Sequence, residues 1–397
     1  MVAVLEGIRV LEVAEHGFVP SAASVLGDWG ADVVKIERPQ GDALRDVQPQ
    51  GLVVDTGDDF QFLVEQMNRN KRNVCLDLKN PEARPVFDAL VRASDVFITN
   101  QLPQVRRKLA IEPDDLFALN PRLVYARGHG QGARGPDAES GGFDSVSFWS
   151  RAGVGHMLSG DHIAGQRPGM GDVPSGMFLA GGIGAALFHR ERSGRGIVVD
   201  VALMAGGIWT LAPDLVAASV LGGDPPKGGS GASTVPLVGS YLTSDGRVLM
   251  LSMLATEKYW QVGCEALEAE DLVTAHPDEA SRAENIAAIR ERFRKNIAAK
   301  PLAHWEQRLR DGGCIYSKYA NPQEVLADPQ TEANGYLPRH PTHPTARLAS
   351  SPVQFGEEPI EIRRAAPDRG QHTDEVLDEL GIDPDQRSRL REAGAIE

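Results

Sequence analysis

The sequence contains few cysteines. Cys75, Cys264 and Cys314 are the three that occur among 397 residues, and no two of them form a CxxC pair. A disulfide framework or a structural zinc site needs paired or clustered cysteines, so neither is expected. Isolated thiols are typical of proteins from a reducing compartment, and we therefore predict a cytoplasmic protein without a metal site.

An excess of positive charge and long apolar runs are also lacking. Lysine and arginine number 41 against 55 acidic residues, which gives a formal net charge of -14. Binding to nucleic acid needs a basic face that neutralises phosphates, so no nucleic-acid partner is expected. The N-terminal stretch MVAVLEGIRVLEVAEHG does not read as a signal peptide, and the apolar run Met177–Phe188 is too short to cross a bilayer. No membrane partner is expected either.

Several familiar catalytic motifs are missing. No GxSxG, HExxH or P-loop pattern occurs, and His340 and His343 lie in a proline-rich stretch without a further nearby ligand. The turn after the first predicted strand reads AEHGFVP, so it lacks the GxGxxG pattern of a dinucleotide site. Gly17 in that turn is either a simple tight turn or, with Phe18, a pair of backbone amides that face a ligand oxygen. The residues leave both interpretations open.

The order of apolar patterns predicts an α/β fold. The runs IRVLEV, ADVVKIE, NVCLDL, DVFITN and RLVYARG alternate with helical patterns, which favours a Rossmann-like parallel sheet covered by helices. A long helical region is predicted through VVDVALMAGGIWTLAPDLVAASVL, followed by the flexible stretch GGDPPKGGSGAST. We therefore predict a large domain over 1–222, a linker over 223–235, and a smaller α+β domain over 236–328 that opens with a hairpin.

Cations and one acid are the candidate functional residues. Arg38, Arg106 to Lys108 and Arg127 lie near predicted strand ends, as does the cluster Asn70-Lys71-Arg72. Ligands of open α/β sheets bind beyond the carboxyl ends of the strands, so such cations are candidates for phosphate contacts and also for ordinary surface charges. In PGMGDVPSG, Asp172 stands among small residues before a helix. It is either a helix N-cap or a reactive carboxylate with room for a bulky reactant.

Ordered blocks along almost the whole chain resemble the class III CoA-transferase family. The resemblance rests on LEGIRVLEV, GADVVKIERPQGDALR, NRNKRNVCLDLKNPEA, NPRLVYARGHGQGARGP, GDVPSGMFLAGGIGAALFHRERSGRG and EVLADPQ. It implies a large Rossmann-like domain and a smaller α+β domain in an interlocked homodimer. It also implies that the C-terminal segment 329–397 returns to the large domain.

The resemblance further implies a mechanism and a set of site residues. Asp172 matches the family's nucleophile, which forms an acyl-aspartyl anhydride and then an aspartyl-CoA thioester. The substrates are an acyl-CoA thioester and a carboxylic acid, with no permanently bound cofactor and no metal. The positions that match CoA contacts are Gly17, Phe18, Arg38, Leu76, Lys79, Asn100, Lys108 and Arg127. The family's ENFRPG block reads TNQLPQ here, and Lys108 stands where the family has an arginine.

Transfer is favoured over the racemase activity that also occurs in this family. Racemases pair the aspartate with a histidine in a GHD block, whereas this chain has Phe143 there, which carries no proton. An α-methylacyl-CoA racemase with His156 or His129 as the second base stays the alternative, and a non-catalytic acyl-CoA binding protein is a third hypothesis. Phe143, Phe148 and Trp149 suggest an apolar acyl pocket or a core cluster.

Overall fold

Six strands form the main sheet of the structure, a computed structural model that describes residues 2–57, 60–160, 162–227 and 233–397. They are β1 (Arg9–Val13), β2 (Asp32–Glu37), β3 (Lys71–Cys75), β4 (Val96–Thr99), β5 (Val124–His129) and β6 (Val198–Ala202). Their spatial order is β3-β2-β1-β4-β5-β6, and every neighbouring pair is parallel. The order reverses between β1 and β4, where open α/β sheets have their binding crevice. The predicted α/β class is confirmed.

One predicted element is wrong. The run beginning VVDV was predicted as the start of a long helix, but it forms β6 and pairs with β5. The β-branched residues Val198, Val199 and Val201 favour a strand, and pairing with β5 outweighs the helical pattern that follows. In the register of this pair, Asp200 lies opposite Arg127.

Some helices pack on this sheet, and others belong to a second compact unit of the chain. They are α1 (Phe18–Asp28), α2 (Leu44–Val47), α3 (Phe62–Asn68), α4 (Arg84–Arg92), α5 (Pro103–Leu109), α6 (Pro113–Leu119), α7 (Val154–Leu158), α8 (Asp172–Ser193), α9 (Leu203–Thr210), α10 (Ala212–Leu221), α11 (Thr256–Ala266), α12 (Asp271–Ala275), α13 (Glu279–Glu284), α14 (Ile286–Ala298), α15 (Leu302–Asp311), α16 (Pro322–Leu326), α17 (Pro329–Ala333), α18 (Thr373–Glu379) and α19 (Pro384–Glu392). A π-helical segment covers Ser145–Arg151. Among the described residues no single helix meets the length and hydropathy needed to cross a membrane; α9 and α10 meet them only together, with a 72° bend between them.

The chain divides into two compact units. The first contains residues 1–156, 163–216 and 329–397, and the second contains 157–162 and 217–328, apart from the few undescribed positions. In the first unit the C-terminal residues pair with the sheet, since Leu76 forms a β-bridge with Ile396. Residues 228–232 of the predicted linker lie outside the described residues. The predicted domain boundaries stay a prediction.

The second unit contains a small antiparallel sheet. Its strands are β7 (Val238–Leu242), β8 (Val248–Ser252) and β9 (Tyr316–Lys318), in the order β7-β8-β9. The predicted hairpin is present between β7 and β8, with Gly246 at a φ of +73° in its turn. Helices α11, α14 and α15 bury apolar side chains against this sheet, with Trp305 and Phe293 fully buried.

Close packing of α1 against α8 brings the starts of these two helices together. Gly176 in α8 allows this contact, because a Cβ there would lie 1.9 Å from Ser21 Oγ and 2.9 Å from the Phe18 carbonyl oxygen. Helix α1 is buried along its whole length. The N-terminal amides of a helix lack intrahelical partners, so two sets of such amides lie near each other at one end of the sheet.

Candidate active site

A cavity of about 490 Å³ lies at the switch point of the sheet. The turn after β1 and the segment after β4 form part of its wall, together with the glycine-rich segment that follows β5. Asp172, the first residue of α8, reaches the same cavity. The carboxyl ends of β1, β4 and β5 therefore place the predicted acid in the crevice where ligands of this sheet type bind.

Asp172 is partly buried and does not act as a helix cap. The N-cap position of α8 belongs to Gly171, and no side chain caps this helix. Burial, and in second place the carboxylate of Asp144, raises the pKa of Asp172 to about 7. Within the described residues no donor hydrogen-bonds to this carboxylate. The group is therefore a poorly solvated acid that changes charge near neutral pH.

Gly17 lies directly against the carboxylate of Asp172. A Cβ at position 17 would lie 2.4 Å from Asp172 Oδ2, which is far inside van der Waals contact. The φ of Gly17 is -95°, so space rather than backbone conformation demands glycine here. The amides of Gly17 and Phe18, at the start of α1, have no acceptor among the described residues, and they are available to a ligand oxygen beside Asp172.

Asn100 holds the turn that carries Gly17. Its side-chain Oδ1 accepts a hydrogen bond from the Glu15 amide at 3.1 Å, and its Nδ2 donates to the Glu15 carbonyl at 2.6 Å. The resemblance implied that Asn100 contacts CoA, and Asn100 does line the cavity. Its side chain is nevertheless occupied with the turn, so in this structure it acts on the site through the backbone of Glu15.

A buried ionic cluster holds the same turn from the other side. Lys35 Nζ donates to the Ala14 carbonyl at 2.8 Å and to Asp42 Oδ2 at 2.9 Å, and it contacts Glu12 at 3.0 Å. Asp42 Oδ1 accepts from the His16 amide at 3.0 Å. Burial alone would lower the pKa of Lys35, but the carboxylates of Asp42 and Glu12 outweigh it and raise that pKa. The cluster therefore stays charged and fixes the turn.

Asp144 is a second acid of the site, which the sequence did not reveal. The Gly171 amide lies 3.4 Å from Asp144 Oδ2, and burial raises the pKa of Asp144. Its charge also contributes to the raised pKa of Asp172. The sequence signal was an acid directly after Phe143 and a glycine pair, a setting similar to that of Asp172.

A second cavity of about 620 Å³ adjoins the first and contains three of the four cations that match CoA contacts of the family. Arg38, Lys79 and Lys108 line it, as does the predicted Leu76. The two cavities share lining residues, namely Glu15, Gln101 and Val105. Lys79 and Lys108 are exposed and make no ion pair with a described residue, whereas Arg38 Nε lies 3.4 Å from Glu15 Oε1.

Arg127 lies apart from both cavities. It belongs to β5, and its Nε donates to Asp200 Oδ1 of β6 at 2.5 Å. Hydrogen bonding to Asp200 raises the pKa of Arg127. Burial alone would raise the pKa of Asp200, but hydrogen bonds from His129 and Arg127 outweigh it and lower that pKa. The structure therefore gives Arg127 a cross-strand ion pair, and it does not line the wall where the other predicted cations meet.

The cluster Asn70-Lys71-Arg72 lines neither of these two cavities and lies at the start of β3. Lys71 is buried with its Nζ 2.7 Å from Glu12 Oε2, and burial lowers its pKa to about 7. Arg72 donates to Asp32 and to Glu379 of α18. These cations hold the sheet and the C-terminal segment together, and they are not placed to meet a ligand at the carboxyl ends of the strands.

The three aromatic residues of the predicted acyl pocket do not lie together in the structure. Phe143 lines the first cavity and is 59% exposed. Phe148 is buried against Gly171, where a Cβ would lie 2.6 Å from its ring, and Trp149 packs against Gly155. In the described part of the chain, no group of three or more His, Cys, Asp or Glu side chains is placed to hold a metal ion.

Comparisons with known proteins identify the family. Residues 5–373 match the model of CoA-transferase family III. The (R)-2-hydroxy-4-methylpentanoate CoA-transferase of Clostridioides difficile is 28% identical over 99% of both chains, and the cinnamoyl-CoA:phenyllactate CoA-transferase of Clostridium sporogenes is 29% identical over 94% of this chain and 93% of its own. The succinyl-CoA:mesaconate CoA-transferase of Haloarcula marismortui is 30% identical, with coverage of 96% and 97%.

A solved structure agrees with this assignment. The crystal structure of a CAIB/BAIF family protein from Brucella suis superposes with a TM-score of 0.82 at 25% identity, over 95% of this chain and 99% of that one. The resemblance that the sequence blocks carried is confirmed. The chain belongs to CoA-transferase family III and is an enzyme of that class.

Proposed function

We propose that the enzyme moves CoA from an acyl-CoA to a free carboxylic acid, with Asp172 as the nucleophile. The observation that carries the proposal is the carboxylate of Asp172, with a pKa raised to about 7, which lies in the cavity against the start of α1. A carboxylate with little solvation is a stronger nucleophile than one in water. The amides of Gly17 and Phe18 are placed to stabilise the oxyanion that forms when it attacks.

Four acyl transfers complete the proposed cycle. Asp172 attacks the thioester carbonyl, which forms a mixed anhydride and expels CoA thiolate. The thiolate attacks the Asp172 carbonyl, which gives an aspartyl-CoA thioester and frees the donor acid. The acceptor carboxylate then expels the thiolate again to form a second anhydride, and the thiolate attacks the acceptor carbonyl, which restores Asp172 and releases the new acyl-CoA.

CoA is proposed to lie along both cavities. The thioester reaches Asp172 in the first, the pantetheine arm passes the shared residues Gln101 and Val105, and the nucleotide phosphates meet Lys79 and Lys108 in the second. Two exposed lysines that pair with none of the described acids are suitable phosphate partners.

Replacing both Lys79 and Lys108 with alanine is expected to raise the KM for acyl-CoA by about tenfold or more, since charge-assisted contacts are each worth about 1.5 to 3 kcal/mol. The kcat should change little because neither lysine reaches the reacting atoms. Initial rates with acyl-CoA and with the matching acyl-pantetheine, which lacks the nucleotide, check this. The variant should lose affinity for the first substrate alone, and Lys300→Ala, in the second unit, should leave both KM values unchanged. An equal rise in the KM for acyl-pantetheine would show that the two lysines do not act by binding the nucleotide.

The transferred acid is proposed to carry an apolar acyl group. Large apolar side chains line part of the first cavity, namely Phe18, Leu102, Phe143, Val146 and Leu203. Two relatives act, by their names, on 2-hydroxy-4-methylpentanoate and phenyllactate, whereas others act on dicarboxylates. The cavity wall offers few cationic side chains that could pair with a second carboxylate, and an unpaired charge there would be costly. We therefore favour apolar monocarboxylic acids.

A panel of acyl-CoA donors against carboxylate acceptors tests this function. With the new CoA esters measured by mass spectrometry, 4-methylpentanoate and 3-phenylpropanoate should exceed succinate and glutarate by about tenfold or more in kcat/KM. Preference for the dicarboxylates would overturn the acyl-group proposal, and transfer to no acid would overturn the function.

The racemase alternative can be tested in the same panel. Phe143 cannot exchange a proton. His129, a candidate second base, is hydrogen-bonded to Asp200, with 2.9 Å between His129 Nε2 and Asp200 Oδ1. A 2-methylacyl-CoA donor incubated in D2O should therefore gain no deuterium at its α-carbon. Exchange at a rate comparable to CoA transfer would establish the alternative.

The chain is proposed to form an interlocked homodimer in the cytoplasm, as the family resemblance implies. Helix α8 carries exposed Phe178 and Phe188 on one stripe, with Gly181 and Ala185 between them. The spacing of three and four residues makes a continuous helix face with small residues at its centre, suited to close packing. The mass in solution tests this, because a monomer at micromolar concentration would contradict it.

The pH profile should report the protonation of Asp172. Its raised pKa means that the carboxylate is lost as the pH falls below about 7, so kcat/KM for acyl-CoA should fall on the acid side of that value. Asp144→Asn removes the nearby like charge, which should move the midpoint to lower pH while leaving it above that of a free aspartate, because burial remains. Rates between about pH 5 and 9 check this. An unchanged midpoint in the variant would show that Asp144 does not act on Asp172.

A further inference from the structure

His16 is a titratable side chain at the first cavity that none of the steps above uses. The other cationic groups on this wall are occupied: Arg106 donates to the Gln101 carbonyl and pairs with Glu112, and His129 binds Asp200. Among the described residues, the imidazole of His16 makes no hydrogen bond or ion pair. It therefore keeps its donor and acceptor capacity for a ligand.

The position of His16 is held at a conformational cost. Its φ is +65°, in the left-handed region that non-glycine residues rarely adopt. The bond from the His16 amide to Asp42 fixes this conformation, and the ring of Phe143 packs edge-on against the imidazole with a centroid distance of 5.3 Å. Backbone strain that a buried network maintains beside a cavity is a pointer to function.

We propose that the imidazole of His16 binds the carboxylate of the acceptor acid and places it for attack on the thioester formed at Asp172. The assignment rests on the proposed function and adds a subsite to it. His16 and Asp172 line the same cavity, and Gly17, the residue after His16, touches Asp172. A carboxylate bound at the imidazole therefore shares this cavity with the carbonyl that it must attack. The acid arrives as an anion in a largely apolar cavity, where an unpaired carboxylate would be costly.

The same geometry defines the class of acid. One imidazole that makes no hydrogen bond with the described residues serves one carboxylate, and the Phe143 ring beside it offers an apolar surface to the rest of the molecule. The subsite therefore fits monocarboxylic acids with an apolar chain or ring. In the step itself, a carboxylate oxygen bonds to the thioester carbonyl carbon and CoA leaves as thiolate, so His16 binds and positions without a net proton transfer.

Replacing His16 with asparagine separates this role from a structural one. Asparagine tolerates the left-handed backbone better than other non-glycine residues, and its short amide does not extend to the position of the imidazole. With 4-methylpentanoyl-CoA as donor and 3-phenylpropanoate as acceptor, the KM for 3-phenylpropanoate should rise about tenfold in His16→Asn, as for loss of a charge-assisted hydrogen bond. His16→Gln, which carries a longer N–H donor, should recover part of the affinity.

The KM for the donor serves as the control. In His16→Asn the KM for 4-methylpentanoyl-CoA should stay within about twofold of the parent value, because the donor thioester carries no free carboxylate and its nucleotide meets the second cavity. An unchanged KM for 3-phenylpropanoate would overturn the assignment alone, and so would equal rises in both KM values. Absence of an aspartyl-CoA adduct in the parent enzyme mixed with 4-methylpentanoyl-CoA, followed by intact-protein mass, would instead overturn the proposed function, and the assignment with it.

Discussion

Asp172→Ala is expected to lower the rate of CoA transfer by about 10⁴-fold or more, the scale observed when a covalent nucleophile is removed. The reason is chemical, because without this carboxylate no anhydride forms and CoA has no covalent carrier between the two acids. Asp172→Asn, which keeps the shape but removes the negative charge, should lose activity equally. Initial rates of CoA-ester formation by mass spectrometry provide the measurement.

The fold should survive this substitution. Gly171 occupies the N-cap position of α8, so the Asp172 side chain contributes no cap that its removal would break. Circular dichroism and thermal unfolding of the variant should match the parent. Glu279→Ala, at the first position of α13, is a matched control and should keep full activity. If Asp172→Ala transferred CoA at a tenth of the parent rate or faster, the nucleophile would be another group.

Gly17→Ala is expected to lower kcat by about 10²-fold or more, because a displacement of about 1 Å at the reacting group is enough for such a loss. The added Cβ would lie 2.4 Å from Asp172 Oδ2, so the carboxylate or the turn must move. The turn resists movement, since Asn100 and Asp42 both bind its backbone. The displacement should therefore fall mainly on the carboxylate.

The KM for acyl-CoA should change little in Gly17→Ala, because the cations that meet the nucleotide lie in the second cavity. Gly165→Ala is the matched control, since a Cβ there meets nothing within 4 Å. Steady-state kinetics on the two variants, with a check of thermal stability, separate misplacement from unfolding. A fully active Gly17→Ala enzyme would show that Asp172 does not need its contact with the turn.

Local patterns in the sequence predicted much of the sheet, because its strands are short apolar runs between turns. They did not predict β6, since VVDV leads without a break into an apolar helix. Arg127 was expected to meet CoA because it lies near a predicted strand end and matches a CoA contact of the family. Its pairing with Asp200 on the neighbouring strand β6 was not foreseen. An ion pair between strands becomes visible only when both strands are known.

The site was predicted unevenly for a related reason. Asp172 and Gly17 could be matched to motifs, but the contact between them depends on how α1 packs against α8, and periodicity does not show that. The bonds from Asn100 to Glu15 and from Asp42 to His16 also join segments that are distant in the sequence. Asp144 carried a signal similar to that of Asp172, although its effect on Asp172 requires the folded chain.

Chemical trapping of the intermediate tests the central proposal most directly. The enzyme is mixed with 4-methylpentanoyl-CoA, quenched with hydroxylamine and digested, and the peptide that carries residue 172 is sequenced by mass spectrometry. Hydroxylamine attacks an aspartyl thioester or anhydride and converts the side chain to a hydroxamate. We expect the hydroxamate at Asp172, only when acyl-CoA is present. An unmodified Asp172 under conditions of active transfer, or a hydroxamate at another acid such as Asp144, would contradict the proposal.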